Sequence, residues 1–217
     1  GNAASRSAAR LGYADIGKVR RTMATAERKW IPVAEQAKLV RGTLKRAFPG
    51  IKFSVRSSTF SGGASIDVRY EDGPRQSDIQ AVLNAYKGGD FDGMIDMAYN
   101  RSHYLRPDGA TFVAYDPGTV GSMGTHEGED NRALADVMPS DVVEVSFAAN
   151  YVTANREISD FERKEAEALA WIRENCITEA EGTRFGNDWV DNIARLMVYR
   201  RIEGETWADA FENRHNR

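Results

Sequence analysis

An apolar stripe at helical spacing leads directly into two stretches in which apolar and polar residues alternate. Residues 33–48 repeat apolar side chains every three or four positions, as an amphipathic helix does. Residues 51–57 and 65–70 alternate them, as half-buried antiparallel strands do. Each element buries one face only, so the three must share a core. Together with a second amphipathic helix at 77–86, these elements give the predicted core residues: Val40, Leu44, Phe48, Phe53, Val55, Ile66, Val68 and Leu83.

Further elements follow along the chain. Spacing predicts strands near 94–99, 111–115 and 142–153, loops at 57–63 and 116–130, and helices over 16–30, 77–86, 160–174, 188–200 and 205–211. The element order predicts an α+β fold: a mainly antiparallel sheet of about four to five strands, helices packed on it, and a helical C-terminus. We expect a disordered arm at 1–15, an α+β domain at 16–158 and a helical part at 159–217 packed on the same core.

Several cellular locations are disfavoured by the composition. No apolar run reaches the roughly 18 residues of a membrane-spanning helix, and residues 1–10 lack the apolar core of a secretory signal. Cys176 is the only cysteine, which rules out an intrachain disulfide and fits a reducing compartment. We therefore expect a soluble, cytoplasmic protein with no membrane partner.

Charge is distributed very unevenly. Residues 1–56 hold 13 of the 29 Lys and Arg but 3 of the 32 Asp and Glu, a net of +10, which leaves −13 for residues 57–217. A basic segment of this kind is typical of contact with nucleic acid or another polyanion. The alternative is a basic arm that folds back onto the acidic remainder of the same chain.

The candidate nucleic-acid-binding residues lie in this basic third. Lys38, Arg41 and Lys45 share one face of the predicted helix, and Lys52 and Arg56 share one face of the following strand. Five cations on adjacent surfaces suit phosphate binding; the alternative is the solvated side of an amphipathic helix. Base stacking is not expected, because Phe53 falls on the apolar side of its strand. We call these five residues the basic face.

No catalytic or metal-binding pattern is present in the sequence. Asp90, Asp92 and Asp96 do not form a calcium loop, because Gly88 and Tyr99 stand where carboxylates are needed, and Asp92-Gly93 is better read as a turn. The glycines of 118–128 lack the lysine of a phosphate-binding loop. The three histidines have no partner at zinc spacing. We expect no catalytic residue, no metal and no cofactor.

Several short strings resemble a known family. They are A-F-P-G-I-K-F-S-V-R-S at 47–57, S-I-D-V at 65–68, D-G-P at 72–74 and F-D-G-M-I-D at 91–96. Together they resemble large polyvalent protein associated domain 29 over residues 33–105, with 150–159 as an extension. The family's tryptophan before D-G-P is replaced here by Tyr70 and Glu71. The resemblance implies a phage, plasmid or conjugative-element context and carries no catalytic residues.

Three functional hypotheses remain open at this stage. The first is a non-enzymatic accessory protein of a mobile element that binds DNA or RNA through the basic face. The second is an anti-defence inhibitor that binds a host defence protein through its acidic C-terminal part, where Asp160, Glu167 and Glu174 recur every seven residues. The third is an enzyme whose site is unfamiliar. The oligomeric state is not predicted.

Overall fold

The fold is seen in a computed structural model, which describes residues 28–119, 130–176, 184–185 and 188–215. The helices are α1 (Val33–Ala47), α2 (Gln76–Asn84), α3 (Phe161–Asn175), α4 (Val190–Arg200) and α5 (Trp207–Glu212). The strands are β1 (Lys29–Ile31), β2 (Ser54–Phe60), β3 (Gly63–Glu71), β4 (Gly89–Asp92), β5 (Met97–Asn100), β6 (Ser102–Leu105), β7 (Thr111–Tyr115), β8 (Val143–Phe147), β9 (Tyr151–Glu157), β10 (Arg184–Phe185) and β11 (Asp188–Trp189).

The predicted α+β class is confirmed. The strands form a four-stranded sheet in the order β1-β8-β6-β7, a three-stranded sheet in the order β2-β3-β9, and two-stranded pairs β4-β5 and β10-β11. Pairing is antiparallel for β6-β7, β6-β8 and β4-β5, and parallel for β1-β8. Helices α3 to α5 make the C-terminal part helical, as expected. In the described parts of the chain, no helix is both long and apolar enough to cross a bilayer.

The chain divides into two compact units. The first comprises the described residues up to Leu39 together with Ser57–Ser65 and Ala85–Tyr151. The second comprises Val40–Arg56, Ile66–Asn84 and the described residues from Val152 onward. The predicted division at residue 158 is a different one and stays a prediction.

The first unit is built on the four-stranded sheet. Its buried apolar side chains include Ile31, Tyr104, Val145 and Phe147. Gly88 has to be a glycine here, because a Cβ atom would lie 2.1 Å from the carbonyl oxygen of Phe147. That close approach lets the Gly88 N–H donate to the Ala149 carbonyl at 2.8 Å. The backbone after α2 is thereby joined to the backbone after β8.

The second unit has its own apolar core. Helices α3, α4 and α5 bury one contiguous cluster: Ala168, Ile172, Val190, Ile193, Ala194, Met197, Val198 and Ala210. Further buried residues are Val40, Leu44, Val55, Ile66, Val68 and Leu83, each predicted as core. Phe48 and Phe53 were also predicted there, but both are only partly buried. The ring of Phe53 lies between those of Phe48 and Tyr70, with centroids 6.2 and 5.4 Å away.

Two predicted elements are wrong at their ends. Residues 57–60 are not a loop but the second half of β2, and a two-residue turn joins them to β3. Lys29 and Trp30 do not end a helix; they belong to β1, which pairs with β8. Residues 16–27 of the predicted helix, the 1–15 arm and most of the 116–130 loop lie outside the described residues.

The predicted strand 142–153 is in fact two strands in different sheets. It breaks at Ala148–Asn150, between β8 and β9. The buried side chain of Gln36 causes the break: its Oε1 accepts from the Ala149 N–H at 2.8 Å, and its Nε2 donates to the Ala149 carbonyl at 3.2 Å. The Gly88 N–H donates to the same carbonyl, so the Ala149 backbone is satisfied without a neighbouring strand.

The predicted strand 94–99 begins later than expected. Residues 93–96 form the turn of the β4-β5 hairpin, and β5 starts at Met97. Asp96 adopts φ 54°, a left-handed conformation common in turns. The prediction of a turn at Asp92-Gly93 agrees with this hairpin, in which the Asp92 carboxylate accepts from the backbone N–H of Met94.

Candidate nucleic-acid interface

Helix α1 carries three of the five basic-face residues. Its buried side includes Ala37, Val40 and Leu44, and Lys38, Arg41 and Lys45 lie next to one another on the exposed surface that flanks it. Glu35 lies in the first turn, and Lys45 and Arg46 lie in the last turn. This distribution complements the helix dipole, whose carboxyl end attracts cations. The helix therefore holds its cations in a fixed row along one side.

The remaining two cations follow the helix in the chain. Lys52 and Arg56 are both exposed, and Val55 between them is buried. Strand β2 begins at Ser54, so Lys52 precedes the strand and the prediction that both share a strand face is wrong for Lys52. The Arg41 Nη2 donates to the Val55 carbonyl at 2.6 Å. This hydrogen bond joins a helix cation to the strand residue that precedes Arg56, which the sequence alone did not reveal.

The five residues also lack acidic partners. Within the described residues, no carboxylate forms an ion pair with any of them. Exposed arginines elsewhere do pair: Arg69 with Asp67, Arg132 with Asp130, and Arg195 with Glu165. The alternative, in which the basic part folds back onto the acidic remainder, has an ion pair between Arg28 and Glu144 at 3.2 Å, but none at these five positions. All five residues are exposed to solvent.

The acidic row of α3 is partly neutralised. Asp160 and Glu167 both form ion pairs with Arg163, the second at 2.5 Å. Only Glu174, the third member, has no ion pair among the described residues. The exposed face of this helix is therefore less negative than its count of acids indicates, although inhibition of a host protein stays a prediction.

A buried ion pair lies in the first unit. The side chain of Arg101 is 2% exposed, and its Nε lies 2.5 Å from Oδ2 of Asp116, which is 4% exposed. Asp90 is within 3.4 Å of the same guanidinium. Breaking such a pair by removing one partner commonly costs about 3–5 kcal/mol, because a charge stays buried. The arrangement is a structural one, since both charges are satisfied internally.

His103 is the buried residue beside this ion pair. It is fully buried, and its ring packs against that of Phe147 at a centroid distance of 4.9 Å. Neither ring nitrogen has a hydrogen-bond partner within the described residues. Burial, followed by the positive charge of Arg101, lowers the pKa of His103 to about 3. The imidazole is therefore neutral at pH 7 and packs as a core ring.

A cavity of about 340 Å³ lies in the second unit and contains several charged residues. Arg156 in its wall donates to four backbone carbonyls, those of Asp72, Gly73, Tyr199 and Arg201, at 2.8 to 3.1 Å. Lys164 is paired with Asp72 at 3.0 Å. Most of these donors are already occupied by the protein itself. The polar groups of the cavity thus connect α4 to the turn after β3.

The structure places no metal site in the part of the chain that it describes: no three His, Cys, Asp or Glu residues are grouped to hold an ion.

Sequence reasoning did not identify three exposed aromatic residues. Trp30, Phe60 and Tyr151 are 61%, 50% and 61% exposed. Phe60 was assigned to a loop and Trp30 to a helix, so neither was recognised as an outward-facing strand residue.

Comparison with known families supports the resemblance seen in the sequence. A family model, large polyvalent protein associated domain 29, matches residues 31–159, more than half of the chain. The chain belongs to this family. In this polyvalent-protein-associated domain, the matched residues include the whole basic face, while α3, α4 and α5 lie outside them. No match is found among curated proteins or among solved structures.

Proposed function

We propose that this polyvalent-protein-associated domain binds nucleic acid through its phosphate backbone, using Lys38, Arg41, Lys45, Lys52 and Arg56. The observation that carries the proposal is the absence of a carboxylate partner for any of the five in the described residues, although all are exposed. Phosphate contacts of this kind supply affinity without base sequence information. The protein is then an accessory nucleic-acid-binding protein of a phage or plasmid, and not an enzyme.

Salt dependence gives the first test. About five phosphate contacts release about five counterions, so a plot of log K against log salt for duplex DNA should have a slope near −4 to −5. Fluorescence anisotropy with a labelled duplex, between about 50 and 200 mM salt, measures this slope. Absence of binding at about 50 mM salt, where such contacts are strong, would contradict the proposal.

A quadruple variant localises the contact. Lys38, Lys45, Lys52 and Arg56 are changed to Gln, while Arg41 is kept because it bonds the Val55 carbonyl. With four contacts removed, the slope should flatten to about −1. The matched control changes Arg69, Arg132, Arg163 and Arg195 to Gln; these are equally exposed arginines, each paired with a carboxylate. Equal losses in both variants would indicate a general net-charge effect and overturn the assignment to the basic face.

A further inference from the structure

A groove in the first unit combines an exposed tryptophan with unused amide groups. Its volume is about 510 Å³, and it is lined by Trp30, Pro32, Val33, Thr59, Gly62, Gly63, Ala64, Asn100, Ala148 and Asn150. Trp30 stands on β1 and presents 61% of its surface to solvent. Its neighbour Ile31 is fully buried on the other side of the strand, which fixes the direction of the indole ring.

Two side-chain amides in the groove have hydrogen-bond donors and acceptors that the described residues do not use. The side-chain amides of Asn100 and Asn150 have no hydrogen-bond partner in the described residues. Each amide both donates and accepts, so the two together match the mixed edges of a nucleobase. The lining contains no carboxylate.

A second aromatic surface lies beside the groove. The ring of Phe60 covers Gly63, a lining residue, where a Cβ atom would lie 3.0 Å from it. Phe60 also contacts Tyr151, with ring centroids 6.1 Å apart. Both rings stay half exposed or more, which leaves apolar faces open to solvent. Flat, exposed rings of this kind are what unpaired bases stack on, whereas paired bases in a duplex are not accessible to them.

We infer that this groove binds an unpaired nucleobase by stacking on Trp30 and hydrogen bonding to Asn100 and Asn150, and that the protein prefers single-stranded to duplex nucleic acid. The inference rests on the proposed function and names its substrate class. DNA and RNA share the base chemistry invoked here, so both belong to the test. A duplex would use the phosphate contacts alone.

The test compares single-stranded DNA, single-stranded RNA and duplex DNA of one sequence by anisotropy. Trp30→Ala should weaken single-strand binding about 5- to 150-fold, the range for loss of one stacked base. Duplex affinity and the salt slope should not change, because no phosphate contact is lost. The matched control is Trp189→Ala, which removes a tryptophan of similar exposure, 53%, outside the groove. It should leave all three affinities unchanged.

The outcomes separate the two proposals. If the wild-type protein binds no nucleic acid, both fail. If the protein binds duplex and single strand equally well and Trp30→Ala changes neither affinity, phosphate binding by the basic face is supported and base binding by the groove is contradicted. If Trp30→Ala weakens duplex and single-strand binding equally, Trp30 has a structural role and the assignment of base binding to the groove is wrong. A circular dichroism spectrum showing that the variant has lost its fold would lead to the same conclusion. Asn150→Ala supplies an independent variant, expected to change the preference among bases without changing the salt slope.

Discussion

At the scale of the single residue, His103 should have a measurable effect on how stability depends on pH. It is fully buried, and its pKa is lowered to about 3, chiefly by burial. In the unfolded chain the imidazole has its ordinary pKa of about 6.5. Between these two values the unfolded chain binds one proton more than the folded one, so protonation favours unfolding.

Stability should therefore be complete above about pH 6.5 and decrease as the pH falls toward 4. The expected slope from His103 is about 1.4 kcal/mol per pH unit in this window. Carboxylates with lowered pKa values, such as Asp72, lose their contribution at lower pH still. Urea unfolding of the wild type and of His103→Phe from pH 7 to 4.5 measures the difference. If the variant keeps the wild-type pH dependence, His103 is not buried as a neutral ring.

At the scale of the element, glutamine side chains take over hydrogen bonds that sheets normally supply. Gln36 of α1 donates to the Tyr86 carbonyl at 2.6 Å and bonds both backbone groups of Ala149. Gln80 of α2 bonds the backbone of β9 in a similar way: it donates to the Val152 carbonyl at 2.9 Å and accepts from the Ala154 N–H at 3.0 Å. Helices thus connect to strands through paired amide bonds as well as apolar contact.

The two glutamines differ in burial, which predicts different energies. Gln36→Leu removes the acceptor of the Ala149 N–H, and both residues are fully buried. A buried donor left without its acceptor costs about 1–3 kcal/mol, so the free energy of unfolding should fall by about that amount. Gln80→Leu is the matched control; its position is half buried, and water replaces the lost bonds at lower cost. Chemical denaturation curves giving equal losses would contradict the explanation of the strand break.

At the scale of the whole molecule, the features predicted correctly from the sequence are those that local periodicity determines. Helix α1 was predicted within one residue of its end, because its apolar stripe stops at Pro49-Gly50. The exposure of Lys38, Arg41 and Lys45 followed from the same spacing, and that of Arg56 followed from strand alternation. The Arg41–Val55 hydrogen bond did not, because side-chain reach between a helix and a strand has no periodic signal.

The missed elements depend on distant parts of the chain. Strand β1 has three residues and exists because it pairs with β8, more than a hundred residues away. Strand β6 begins with Ser102 and His103, which are polar and yet buried, so alternation does not reveal it. The break at Ala149 requires Gln36 from another element. The exposure of Trp30 could not be predicted for the same reason, because the pairing of β1 sets the direction of its side chain.

The pairing of Gln80 with β9 has a consequence for behaviour at high concentration. Strand β9 is the last strand of its sheet, and an uncovered last strand is a template on which a second molecule adds its own backbone. The amides of Gln76 and Gln80 occupy Val152 and Ala154 on that side, so an incoming chain finds these positions taken. Gln80→Leu should therefore increase light scattering in concentrated samples, even where it changes the melting temperature little.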